Sequence, residues 1–144
     1  IYSEPNRFFK HIFDEKITTL SPQLDKIYNQ ALAAESSALD EIAGLGYRKA
    51  LEFLIKDFAI HEHPDEEETI KSKLLMQCIK NYISDDRIIT LAERSAWIGN
   101  DEAHYIRKQE NRDVSDMKAF IQAIVYFIGM VLITEDAASM TPKK

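Results

Sequence analysis

The sequence predicts an all-α fold, an up-down bundle of four to five helices, and three observations carry that expectation. Apolar residues recur at threes and fours along most of the chain, and strand-like alternation is absent. Only four glycines and four prolines interrupt 144 residues. Ala, Leu, Ile, Glu and Lys are abundant, a composition that leans towards helix. The length suits one domain around one core.

Residues 1–19 have no sustained period and carry Pro5, Asn6 and the pair Phe8-Phe9. They read as an extended arm that lays aromatic side chains on the bundle, with at most a short turn around Phe9 to Phe13. The helical domain spans 20–138. Its first helix opens at Ser21-Pro22, a capping serine followed by proline at the first helical position. Leu24, Ile27, Tyr28, Ala31, Ala34, Ala38, Leu39 and Ile42 then form one buried stripe, and Gly44 is the expected stop. The alanines in this stripe would let a partner helix approach closely.

The second helix is expected from Leu45 to Ala59, with Ala50, Leu51, Leu54, Ile55 and Phe58 inward. Its first turns carry Tyr47, Arg48 and Glu52. Arg48 and Glu52 are four apart and share a face, either as a surface ion pair or as a polar patch aimed at Asn100 and His104. His61-Glu62-His63-Pro64-Asp65-Glu66-Glu67-Glu68 reads as a solvated acidic loop. No regular element fixes those side chains and their spacing matches no ligand motif, so neither metal nor cofactor is expected.

A third helix follows from Glu66 or Thr69 to Tyr82, using Ile70, Leu74, Leu75, Cys78 and Ile79. Ser84-Asp85-Asp86 caps a fourth, with Ile88, Leu91, Ala92 and Ser95 inward, which Gly99 is expected to close. Asp113 caps the last helix. Met117, Phe120, Ile121, Ile124, Val125, Phe127, Ile128, Val131 and Leu132 make it apolar on most of its circumference, so it is either the centre of the bundle or part of a dimer interface. Residues 139–144 read as a disordered tail.

The formal charge of −6 argues against non-specific nucleic-acid binding, which needs clustered Lys and Arg. The single cysteine, Cys78, excludes an intramolecular disulfide framework and fits a reducing, cytoplasmic setting. No secretory signal is legible. The apolar run from Ala119 to Ile133 is interrupted by Gln122 and is shorter than the ~20 residues of a bilayer span, so no membrane partner is expected.

Chemistry concentrates in Gly99-Asn100-Asp101-Glu102-Ala103-His104, ringed by Arg94, Trp97 and Tyr105. Asn100 or Asp101 could cap a new turn after Gly99, and His104 could act as a general acid or base. Tyr47-Arg48-Lys49-Ala50-Leu51-Glu52, followed about forty-five residues later by Ile98-Gly99-Asn100-Asp101-Glu102-Ala103-His104, resembles the bacterial domain-of-unknown-function family DUF 4145. Tyr28-Asn29-Gln30-Ala31 and Ala34-Glu35 fit that family's first helix, and the likeness runs from Leu24 to Leu132.

That family resembles the HEPN superfamily of helical bundles, found in prokaryotic toxin, defence and restriction-associated proteins. The resemblance implies a homodimer and further domains, including cysteine-rich ribbons upstream; loss of such a ribbon would account for a chain beginning at Ile1. Active HEPN ribonucleases pair an arginine and a following polar residue with a histidine, and cleave RNA without metal by attack of the 2′-hydroxyl. Carried onto this chain, Asn100 and His104 match, but Gly99 stands in the arginine slot.

Arg48, Arg94 and Arg107 are candidates for the missing charge. Arg94 is ten residues before His104, ~15 Å along a continuous helix, so it would help only if Gly99 bends the path. Tyr47, Arg48, Glu52, Asp101 and Tyr105 are then expected around the site as binding residues. The reading favours a non-catalytic dimerising module, with a metal-independent endoribonuclease acting on RNA as the alternative.

Overall fold

The computed structural model describes residues 9–106, 108 and 111–143. Among them the chain is all-helical: α1 (Glu15–Leu20), α2 (Pro22–Ser36), α3 (Asp40–Glu62), α4 (Glu67–Ser72), α5 (Leu75–Tyr82), α6 (Asp86–Ala103) and α7 (Val114–Ala138), with a 3₁₀ turn at Pro64–Glu66. These are four long and three short helices rather than four to five. α3 lies at the centre and touches every other helix. α7 is therefore not the central helix.

The arm is partly structured. Asp14 accepts the Lys16 N–H and caps α1, whose Ile17 is buried. Phe13 enters the core as expected of an arm aromatic, 5.3 Å from the Tyr28 ring, which in turn meets Tyr47 at 5.1 Å. Phe9 stays in solvent. At Ser21-Pro22 the helix start is as read, but the Ser21 hydroxyl does not cap it. The hydroxyl donates instead to Asp57 on α3 at 2.6 Å, and burial pushes the Asp57 carboxyl above its ordinary value.

The first two helices divide earlier than Gly44. The Leu39 N–H bonds the Ala34 carbonyl at 2.8 Å and the Ala38 N–H bonds that of Glu35 at 3.0 Å, a Schellman closure in which Ala38 takes a φ of 60°. Leu39 and Ile42, expected inward, are 53% and 60% exposed because they lie beyond that turn. Glycine is the residue suited to such a φ. Ala38→Gly is accordingly expected to stabilise the protein by about 0.5–1 kcal/mol, raising the thermal midpoint by roughly 2–4 °C in calorimetry.

α3 runs through Gly44 and Gly46 without interruption. A Cβ at Gly46 would lie 2.8 Å from that of Ala31, so the glycine serves the close approach of α2 to α3 that the alanines of α2 foreshadow. A Cβ at Gly44 would meet the Glu102 side chain at 2.7 Å. The predicted third helix is two. Lys73 and Leu74 are extended, and Lys56 donates to the carbonyls of Lys71 and Lys73 at 3.1 and 2.7 Å, satisfying the groups freed at the break. Leu74, expected in the core, points to solvent in consequence.

Asp85 and Asp113 cap α6 and α7 as read, the latter in a capping box with Asp116. α7 turns Met117, Ile121, Ile124, Val125 and Ile128 to the core. It is long and apolar enough to cross a membrane by length and composition, a property shared by helices that serve a bundle. Cys78 is buried.

Candidate functional site

The helix does not break at Gly99. α6 continues to Ala103, and His104 is its C-terminal cap residue. Gly99 is instead a point of contact: a Cβ there would lie 2.5 Å from Cγ and 2.8 Å from Cβ of Arg48 on α3. Sequence alone reads a glycine before polar residues as a stop; the partner helix makes it a crossing point. Gly99→Ala is expected to cost about 1–2 kcal/mol in urea unfolding, overpacking outweighing the better helix propensity of alanine.

Arg48 uses that space to reach α6. Its Nε donates to Asn100 Oδ1 at 3.2 Å and its Nη1 to Glu52 Oε1 at 2.7 Å, while Lys56 pairs with the other Glu52 oxygen at 3.1 Å. The patch read from the Arg48–Glu52 spacing thus does face Asn100. Asn100 and Asp101 are helical and cap no new turn. Asp101 is buried and accepts the Lys108 N–H at 3.1 Å, which ties the segment after the helix back onto it.

Tyr47 belongs elsewhere. It is fully buried, and its hydroxyl donates to Glu35 Oε1 at 2.6 Å, with Lys118 of α7 on the same oxygen at 3.0 Å. This junction of α2, α3 and α7 was not legible in sequence, because its three members are remote from one another. Burial and the Glu35 carboxylate push the Tyr47 hydroxyl pKa up. Arg94 pairs with Glu93 and lays its guanidinium 4.4 Å over the Trp97 ring, so it supplies no charge beside His104. Tyr105 is fully exposed. Arg107 lies outside the described residues.

His104 stands between two clefts. One, of about 350 Å³, is lined by Trp97, Asn100, Asp101, His104 and Lys108. The other, of about 580 Å³, gathers His104 and Tyr105 with six carboxylates, those of Glu35, Asp40, Glu41, Asp101, Glu102 and Asp113. A phosphodiester is repelled from the second. Among the described residues the exposed imidazole has no hydrogen-bonding side chain to orient it, as a positioned acid or base would.

Glu35 and Glu52 are both held below the ordinary carboxylate value. Burial alone would raise each, but Tyr47 and Lys118 for the first, and Arg48 and Lys56 for the second, more than offset it. A depressed folded pKa contributes stability above the unfolded value near 4.5 that is lost as pH falls through the folded one. Below about pH 5 the thermal midpoint is therefore expected to fall more steeply for the native chain than for Glu35→Gln.

The histidines of the acidic stretch sit differently from the expectation. His61 and Glu62 form the last turn of α3, and only His63 onward leaves the helix. His61 Nε2 lies 2.7 Å from Glu135 Oε2 on α7. The His61 bond holds the Glu135 carboxyl low, whereas burial and the neighbouring Glu135 push Glu62 up. His63 turns away, bonded through Nε2 to the Tyr82 carbonyl at 3.2 Å.

Comparison of the chain with protein-family models, curated proteins and solved structures returned no match.

Proposed function

We propose that the chain is a self-associating, non-catalytic helical module of HEPN type, acting in the cytoplasm as part of a larger bacterial defence- or restriction-associated protein. The observation that carries this reading is the outer face of α7. Ala119, Ala123, Tyr126, Met130, Ile133 and Ala137 recur at alternating steps of four and three, the spacing of a coiled-coil seam. Tyr126, Met130 and Ile133 are 71%, 57% and 57% exposed. From residue 119 to 134 no side chain is charged.

A second copy fits this face best. An uncharged strip meets itself about a two-fold axis without like-charge repulsion, even though the chain as a whole carries −6. Gly129, with nothing within 4 Å of where its Cβ would be, leaves a notch between Tyr126 and Ile133 for a side chain of the other copy. A helix lying on a membrane would flank the strip with Lys, Arg and Trp. Here its C-terminal flank is Glu135 and Asp136. Light scattering after gel filtration is expected to give twice the chain mass at tens of micromolar; a monomer at that concentration would sink the reading.

The ribonuclease reading retains one supporting observation. Arg48 fills the space beside Gly99 and bonds Asn100, so an arginine from α3 stands where the motif's own arginine is missing. Against it, the guanidinium is held by Glu52 and the larger cleft at His104 is acidic. Incubation with single-stranded and structured RNA in EDTA is expected to leave the RNA intact. Cleavage lost in His104→Ala and Arg48→Gln would reverse the assignment.

A further inference from the structure

The geometry points to a divalent-metal site where the C-terminal ends of α3 and α7 meet, built from His61, Glu62 and Glu135. One ligand atom from each of the three lies within 4.8 Å of the others. Two come from the last turn of α3 and one from the last turn of α7, so two helices rather than a loop hold them. The donor set is one imidazole nitrogen and two carboxylate oxygens. With metal–ligand distances of about 2.0–2.2 Å, ligand atoms around a tetrahedral ion stand about 3.4 Å apart. Side chains at helix ends and open to solvent reach that spacing by rotation.

Three features of the surroundings favour a cation. No Lys or Arg pairs with Glu62 or Glu135 among the described residues, and the Glu135 carboxylate is partnered by the His61 imidazole. The α7 end has no basic residue in its last turn, and both helices bring the negative ends of their dipoles to the same place. An adjoining cleft of about 730 Å³, in which Glu15, Glu135 and Asp136 outnumber the one cation, Lys16, leaves room for waters to complete the shell. His63 takes no part, since the Tyr82 carbonyl holds its ring.

A mixed nitrogen and oxygen set selects Zn²⁺ and, more weakly, Mn²⁺ over the all-oxygen preference of Ca²⁺. Bound there, the ion joins α3 to α7 and borders the cleft that α1 shares through Glu15 and Thr19. The site is independent of the HEPN reading and of His104.

Calorimetric titration of the full chain with ZnCl₂ tests it. One equivalent per chain is expected at micromolar affinity, with no heat from CaCl₂. His61→Ala and Glu135→Gln should each weaken Zn²⁺ at least tenfold, whereas His63→Ala and His104→Ala should leave it unchanged. Absence of Zn²⁺ binding, binding undiminished in the first two variants, or binding lost in either of the last two overturns the proposal. Should His61→Ala fail to fold, Mn²⁺ titrated into the native chain decides by NMR. Selective broadening of the His61 ring signals supports the site, and broadening of His104 first removes it.

Discussion

Tyr47→Ala is expected to destabilise the protein by about 3–5 kcal/mol, the cost of emptying a large aromatic site in a packed core. Tyr47 is fully buried on the central helix, continues the ring contacts from Phe13 through Tyr28, and has the Lys118 ammonium over its ring, Nζ 5.6 Å from the centre. Its hydroxyl also serves Glu35. Truncation therefore opens a cavity and removes a donor from a half-buried carboxylate together. Tyr47→Phe keeps the rings and loses only the donor, for an expected cost of about 1–2 kcal/mol. Urea unfolding of the three proteins separates the parts. If the alanine variant cost no more than the phenylalanine one, the packing account of Tyr47 would be wrong.

The second large effect is on association. Met130→Glu with Ile133→Glu places four carboxylates across a two-fold α7 seam, and like charges brought together at an interface cost several kcal/mol. The dissociation constant is expected to rise at least a hundredfold, so the variant should elute and scatter as a monomer at tens of micromolar. Both positions are more than half exposed, so the fold of each chain is expected to be unchanged within about 0.5 kcal/mol. The far-UV circular dichroism of the two proteins should superimpose. A double variant that stays dimeric would place the contact on another face.

What was legible in the sequence is what local chemistry decides. Asp85 and Asp113 cap their helices because a short acidic side chain before an apolar run satisfies N–H groups two and three residues on. The stripe from Leu24 to Ala31 is buried because its spacing matches one helix face. Glycines were misread, since a glycine that ends a helix and one that admits a neighbour look the same until the neighbour is known. Gly44 and Gly99 are both of the second kind. Ala38 is the complementary case, a left-handed turn without the glycine that would announce it.

The site was legible only in pieces. Arg48, Glu52 and Asn100 do come together, because four-residue spacing on α3 sets the first two on one face and the crossing with α6 supplies the third. Tyr47, one residue away, necessarily points elsewhere. The six carboxylates around His104 come from four separate stretches of the chain, so no local pattern reveals them. The same holds for Glu135, seventy-four residues after His61, without which the histidine is one more surface side chain.

The Arg48–Gly99 crossing couples what can stand at the two positions. Any side chain placed at position 99 meets the stem of Arg48 at its first carbon, and a long one such as arginine has the remainder of its length to place beside it as well. A smaller residue 48 would relieve that contact but give up the hold on Asn100 and Glu52. The two positions are thus coupled, so that bulk added at 99 and the polar hold of residue 48 compete for one space.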